Sequence, residues 1–218
     1  INGDGGIRMI YDGTTPHDNG ESSTDRQIGT SAFNSSNNTS NAYVGYKYGN
    51  SSGTTYDETH ANTSNSTIKQ AIDSWYKTNI SDKGFSSYLV DSIYCNDRSL
   101  SSGSGIGTEI GAVFSFSNRT SNPTLYCKQD NDKFTVNTSK GNGSLQYPIG
   151  LITADELIYA GASTSSTNTN NNLYLSTGSS YYTMTPYLFH AQFRATNSIF
   201  SNFVSFSTVT KSNGVRPV

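Results

Sequence analysis

Residues 181–218 read YYTMTPYLFHAQFRATNSIFSNFVSFSTVTKSNGVRPV, and this C-terminal stretch decides the fold. Aromatic and branched apolar residues recur through it between threonines, serines and asparagines, as they do in half-buried strands. A Ser-Asn-Gly turn at residues 212–214 then leads into a short apolar run that contains Val215 and Val218. The pattern predicts a β-meander whose last strand closes a sheet.

Two further strands are predicted in the first half of the chain. The run Ile-Arg-Met-Ile-Tyr at residues 7–11 is apolar and is stopped by Asp12 and Gly13. We expect it to pair with the closing strand, which would bring the two ends of the chain side by side. Residues 42–48, AYVGYKY, alternate aromatic and small residues and so predict another strand.

A first helix is predicted to begin after Asn65 or Ser66, either of which can cap it. Apolar residues then recur at helical spacing along one stripe, which comprises Ile68, Ala71, Ile72, Trp75 and Tyr76. We expect Trp75, the sole tryptophan, to anchor the core. Asp73 and Lys77 are expected to pair on the outer face of the helix.

A second, shorter helix carries its own start and stop signals. Thr153 and Glu156 have the spacing of a capping box, in which the two side chains satisfy each other's backbone amides. Leu157 and Ile158 follow as apolar residues, and Gly161 marks the end.

The composition is that of one folded domain spanning residues 1–218. Charged residues make up only 14% of the chain and aromatic residues 12%, with a formal net charge of −2, whereas disordered chains are usually highly charged and poor in aromatics. The absence of a Lys/Arg cluster argues against nucleic acid. No apolar run approaches the length of a membrane span, so we expect no membrane contact within this segment. Because the sequence shows no signal-peptide pattern at Ile1, we expect the segment to be a mature ectodomain or an excised domain.

The chain has two cysteines, Cys95 and Cys127. In a secreted protein they would form a disulfide, whereas in the cytosol they would remain free thiols. The tyrosine-rich, charge-poor composition favours export, and we therefore predict the disulfide.

No arrangement of residues indicates catalysis, a metal ion or a cofactor. The three histidines, His17, His60 and His190, are far apart and lack metal-ligand spacing. No Gly-x-Ser-x-Gly elbow occurs, and the acidic run at residues 130–132 lacks EF-hand spacing. We expect the charged residues Asp97, Arg98 and Arg216 to act as structural hydrogen-bonding groups.

Several motifs of the chain resemble, in the same order, those of a bacterial surface-protein domain of unknown function that is common in gut bacteria. These motifs are residues 7–13, 26–30, 41–49, the Trp75 helix, Cys-Asn-Asp-Arg-Ser at 95–99, 147–161 and the tail at 181–218, which ends in Gly-Val-Arg-Pro-Val. That group is related to formylglycine-generating enzymes and C-type lectins, and some of its members look like ectodomains attached to a pilin-type segment.

The resemblance implies a C-type-lectin-like α+β domain, with a mixed β-sheet, two helices and long loops on one side. It implies a location at the cell surface, but no reaction. Formylglycine-generating enzymes work through a cysteine pair near their C-terminal end, and no cysteine follows Cys127 in this chain. Their chemistry is therefore not expected here.

Ligands of lectin-like folds usually meet the loops and the adjoining strand ends. In this chain the corresponding candidates are Tyr181, Tyr182, Tyr187, Phe189, His190, Gln192, Arg194 and Asn197. Tyrosine offers a rigid amphipathic surface and asparagine offers hydrogen bonds, a combination suited to recognition. The alternative is that the aromatic members of the set face the core, because alternate residues of a strand must point inward.

The leading functional hypothesis is non-catalytic recognition or adhesion by an extracellular or surface-displayed protein, with a glycan or a protein on another surface as its partner. The first alternative is a pilin-like or fibre subunit that associates with copies of itself. The second alternative is an unrecognised hydrolase.

Overall fold

One large mixed β-sheet dominates the fold, and short helices pack against it. The computed structural model describes residues 7–19, 21–118, 120–169, 172–190 and 194–218. The architecture is α+β, with few helices relative to strands. In chain order the strands are β1 (Gly29–Ala32), β2 (Lys47–Tyr48), β3 (Ser64–Asn65), β4 (Tyr94–Cys95), β5 (Leu100–Ser102), β6 (Val113–Phe114), β7 (Lys133–Phe134), β8 (Tyr181–His190), β9 (Arg194–Phe200), β10 (Val204–Thr208) and β11 (Ser212–Val215).

The long strand β8 lies at the centre of the large sheet. The strand order is β1-β11-β8-β6-β5, while β9 pairs with β8 and β10 pairs with β9. The β11–β8 pair is parallel and the other pairs of this sheet are antiparallel. Two small ladders, β2–β3 and β4–β7, lie outside it. The predicted C-terminal meander is thus confirmed for β8 to β10. β11 does not pair with β10, and residues 212–214, expected as a turn, belong to β11 itself.

The closing strand β11 has a different partner from the one expected. It is flanked by β1, with Gly29 opposite Val215, and by β8. Residues 7–11 form no strand. Tyr11 N donates to Pro217 O at 2.9 Å, and Arg216 Nε donates to Tyr11 O at 2.8 Å. The two end segments do lie side by side, but the prediction of a ladder between them is wrong because β1 already occupies that edge of β11.

Three α-helices are found in the described part of the chain: α1 (Tyr56–Thr59), α2 (Thr67–Tyr76) and α3 (Ala154–Tyr159). Ser66 caps α2, since its hydroxyl accepts a hydrogen bond from Lys69 N. Thr153 and Glu156 form the predicted capping box at the start of α3. Helix α1 was not predicted from the sequence, because it is a single turn without an apolar stripe. None of the described helices has the length and apolarity needed to cross a membrane.

The predicted stripe of α2 faces the core through Ile68, Ile72 and Tyr76, each 0–1% exposed. Trp75 is only partly buried at the edge of the core, with its ring 5.4 Å from that of Tyr11. The expectation of a fully buried anchor is therefore met by Tyr76 rather than by Trp75.

The ion pair expected on the outer face of α2 does not form. Asp73 pairs with Lys69, and Lys77 pairs with Asp82 at 2.8 Å. Lys69 is buried. A buried ammonium group needs a neighbouring carboxylate more than an exposed ammonium group does.

The strand expected over residues 42–48 is also wrong for most of its length. Residues Asn41–Val44 form a 3₁₀ turn, and only Lys47–Tyr48 pair as a strand. The Asn41 side chain donates hydrogen bonds to the carbonyls of Gly107 and Glu109, at 3.0 and 2.8 Å, and so holds the turn. Val44 and Tyr46 nevertheless enter the core, which explains the apolar alternation.

Candidate functional site

Three of the residues expected to bind a ligand are fully buried in the sheet. Tyr181, Tyr182 and Asn197 each have an exposed fraction of 0%. The Tyr181 hydroxyl donates to the carbonyl of Leu175 at 2.9 Å, and the Tyr182 hydroxyl donates to that of Thr208 at 2.7 Å. Burial raises the pKa of the Tyr181 hydroxyl to about 12. These side chains hold the sheet together and do not reach solvent.

The rest of that expected set is divided between the core, the sheet surface and positions whose side chains are not described. Phe189 is buried in the core. Tyr187 is half-buried and its ring stacks on that of Phe206, with the centroids 4.6 Å apart. Gln192 lies outside the described residues. His190 and Arg194 are paired in the β8–β9 ladder, and their side chains are not described.

A cleft of about 770 Å³ lies beside the Cys95–Cys127 disulfide. Its walls come from residues 92–97, from residues 124–127 and from residues 152–160, which include α3. The volume falls in the range of pockets that hold small molecules.

Three large side chains stand exposed at this cleft. Tyr126 is 70% exposed, Tyr159 59% and Leu125 56%. Tyr159 ends α3, and its hydroxyl donates to the carbonyl of Pro123 at 2.8 Å, which fixes the ring while leaving most of it open to solvent. Tyr126 adjoins Cys127, so the disulfide anchors its backbone.

Every charged residue that lines the cleft has a partner within the fold. Glu156 binds Arg8 through Oε1 at 2.6 Å and accepts from Thr153 N through Oε2 at 2.7 Å. Asp155 accepts a hydrogen bond from Thr124 N, Asp97 accepts from Ser99 N and Ser115 Oγ, and Lys133 pairs with Asp130. The cleft therefore offers hydroxyl groups, carboxylate oxygens and aromatic rings, and each of its charged groups is held by an ion pair or by hydrogen bonds.

The disulfide is confirmed, with the two Cα atoms 5.7 Å apart. Asp97 and Arg98 are structural, as expected: Arg98 is completely buried and its Nη2 lies 2.6 Å from Asp132 Oδ1. Arg216 is structural as well, since it pairs with Asp12 and donates to the carbonyls of Tyr11 and Leu175.

The histidines whose side chains are described have structural surroundings. His60 is buried, with Nε2 3.0 Å from the carbonyl of Gly105, and burial lowers its pKa to about 3. His17 lies between Glu21 and Asp25, at 3.2 and 3.1 Å. Within the described residues, no group of three or more His, Cys, Asp or Glu side chains is placed to hold a metal ion.

The rim residues Tyr126 and Tyr159 were missed by the sequence analysis. Tyr159 follows the apolar residues of a correctly predicted helix. The helical repeat could therefore have predicted that its side chain lies on the exposed face. Nothing in the sequence around Tyr126 indicated that its ring lies at the cleft, because the position of residues 120–129 depends on the Cys95–Cys127 disulfide.

Comparison of the chain with protein-family models, with curated proteins and with solved structures gives no match.

Proposed function

We propose that this protein is a non-catalytic recognition domain that binds a neutral glycan in the cleft beside the Cys95–Cys127 disulfide. The observation that carries the proposal is the pair of exposed tyrosine rings, Tyr126 and Tyr159, at a cleft whose charged groups are all engaged within the fold.

A sugar ring has an apolar face of C–H groups and an edge of hydroxyl groups. The open rings of Tyr126 and Tyr159 offer a rigid surface for such a face, and immobilising them on binding costs little entropy. Thr124 lines the same cleft, is only partly buried, and complements the hydroxyls. Because Arg8 and Glu156 neutralise each other, an uncharged ligand is favoured over an anionic one.

We place the domain outside the cell. A disulfide in the wall of a binding cleft persists in an oxidising compartment and is reduced in the cytosol of most organisms.

The C-type-lectin-like architecture and the relation to the bacterial surface-domain group belong to this same proposal. They are supported by the shared order of sequence motifs and by the end segments that lie side by side in an α+β fold.

A glycan array tests the proposal. The intact domain should bind a subset of neutral oligosaccharides, and the double variant Tyr126→Ala/Tyr159→Ala should lose at least about 90% of that signal, since stacked aromatic residues dominate recognition energetics. Phe206→Ala is the matched control, because Phe206 is a 47% exposed aromatic residue outside the cleft, and it should leave binding unchanged. The proposal is abandoned if no neutral glycan binds, or if both variants bind like the parent.

A further inference from the structure

A second, apolar groove of about 270 Å³ lies on the other side of Arg8 from the cleft. Its polar lining residues are Arg8 and Ser92, and its other walls are formed by residues 7–11, by Trp75, Tyr76 and Ile80 near the end of α2, and by residues 88–90. Since Arg8 is paired with Glu156, this groove carries no uncompensated charge.

Large apolar side chains stand exposed around the groove, and we call them the apolar face. The groove is lined by Ile7 at 82%, Met9 at 65%, Tyr88 at 80% and Val90 at 73% exposed. Phe85, 49% exposed, adjoins them, with its ring 6.4 Å from that of Tyr88. Scattered exposed apolar residues need no explanation, but a contiguous group around a groove marks an interaction surface.

The backbone beside the apolar face also lacks backbone partners among the described residues. Exposure alternates from Ile7 to Ile10, with Ile7 and Met9 open and Arg8 and Ile10 partly covered, as in an extended segment. In the described part of the chain, Ile7, Met9 and Ile10 make no backbone hydrogen bond to another backbone group. Such an edge presents free amide and carbonyl groups to any strand that approaches it.

We infer that a second copy of the chain covers this face, with residues 7–10 of the two copies paired as antiparallel strands about a twofold axis. At about 150–250 Å² for each large side chain, the exposed fractions of the apolar face amount to about 650 Å² per copy. A pair would then bury about 1,300 Å², the size of a standard specific interface. The compensated charge of the groove allows two identical surfaces to meet without repulsion.

A twofold contact of this kind closes on itself, because both copies use the same surface. It therefore yields a dimer rather than a fibre. Each dimer would carry two glycan clefts, and two linked clefts raise the apparent affinity for a surface that displays many copies of the ligand.

Sedimentation of the full chain over micromolar to submillimolar concentrations tests the inference. The parent chain should form dimers, and Met9→Asp and Val90→Asp should each weaken dimerisation by at least about 100-fold, since each places two carboxylates in an apolar interface. Ile110→Asp is the control, because Ile110 is 49% exposed outside the groove, and it should dimerise like the parent.

Trp75, the sole tryptophan, lines the groove and reports on it directly. Its emission should shift to shorter wavelength as dimers form, with the same midpoint as the sedimentation data. A chain that stays monomeric throughout overturns the inference, as does a dimer that survives both groove substitutions. Capture of an alternating Val/Thr test peptide by a monomeric chain would also contradict it, since the groove would then be a peptide site.

Discussion

Asp12 joins the two ends of the chain through two buried cations. Arg26 and Arg216 are both completely buried, and Asp12 Oδ1 accepts from Arg26 Nε at 2.8 Å while also pairing with Arg216. The Tyr174 hydroxyl donates to the other carboxylate oxygen. One carboxylate thus compensates two guanidinium groups, and removing it would leave both without an ionic partner at this point.

We expect Asp12→Asn to lower the free energy of unfolding by about 3–5 kcal/mol at neutral pH, as for other broken buried ion pairs. Urea unfolding measures the loss, with Asp18→Asn as the control because Asp18 is exposed. A loss below about 1 kcal/mol, the level of a surface ion pair, would show that the arginines are held by carbonyl groups alone.

The same substitution should also change the response to acid. Burial raises the pKa of Asp12, but hydrogen bonds from Tyr174 and Arg26 and the charge of Arg216 outweigh it and lower the pKa below 3.8. A lowered pKa stabilises the fold above the pKa of the unfolded chain, and that stabilisation is lost as the pH falls through the folded pKa. The difference between parent and Asp12→Asn should therefore shrink as the pH falls below about 4.

The disulfide links β4 to the segment that carries the rim of the cleft. Cys95 and Cys127 are 32 residues apart in sequence. In the chain-entropy account, a loop of this length stabilises the fold by roughly 3–4 kcal/mol. We expect Cys95→Ser/Cys127→Ser to lose about that much in urea unfolding, and its glycan affinity to fall because Tyr126 is no longer anchored. Full retention of both stability and affinity would show that the segment is held without the bond.

Elements with a strong internal pattern were predictable from sequence. The meander β8–β10, the capped helix α2 and the capping box of α3 all depend on spacing within one short segment, and the structure confirms them. Residues 7–11 and 42–48 show the same apolar alternation but form no strand over most of their length, because β1 occupies the edge of β11 and Asn41 holds a turn.

The candidate site was less predictable, for a related reason. Tyr181 and Tyr182 carry the side chains expected of a binding strand, yet β8 lies at the centre of the sheet and buries them. Which tyrosines remain exposed depends on how distant segments cover one another. Tyr126 and Tyr159 come from separate segments and meet at one cleft only in the folded chain.

The molecule as a whole presents two distinct surfaces on either side of Arg8. The cleft beside the disulfide carries the proposed glycan site, and the apolar face carries the proposed contact with a second copy. Arg8 lines both surfaces. Its ion pair with Glu156, at 2.6 Å, compensates the positive charge that Arg8 brings to each of them.

Hydrogen exchange with and without the oligosaccharide that binds best on the array tests the glycan site most directly. Backbone amides of residues 124–129 and 154–160 should be protected by the ligand, because these segments carry Tyr126 and Tyr159. The same amides should show no protection in the Tyr126→Ala/Tyr159→Ala variant. Protection confined to the β8–β9 strands, or none at saturating ligand, would contradict a glycan site in the cleft beside the disulfide.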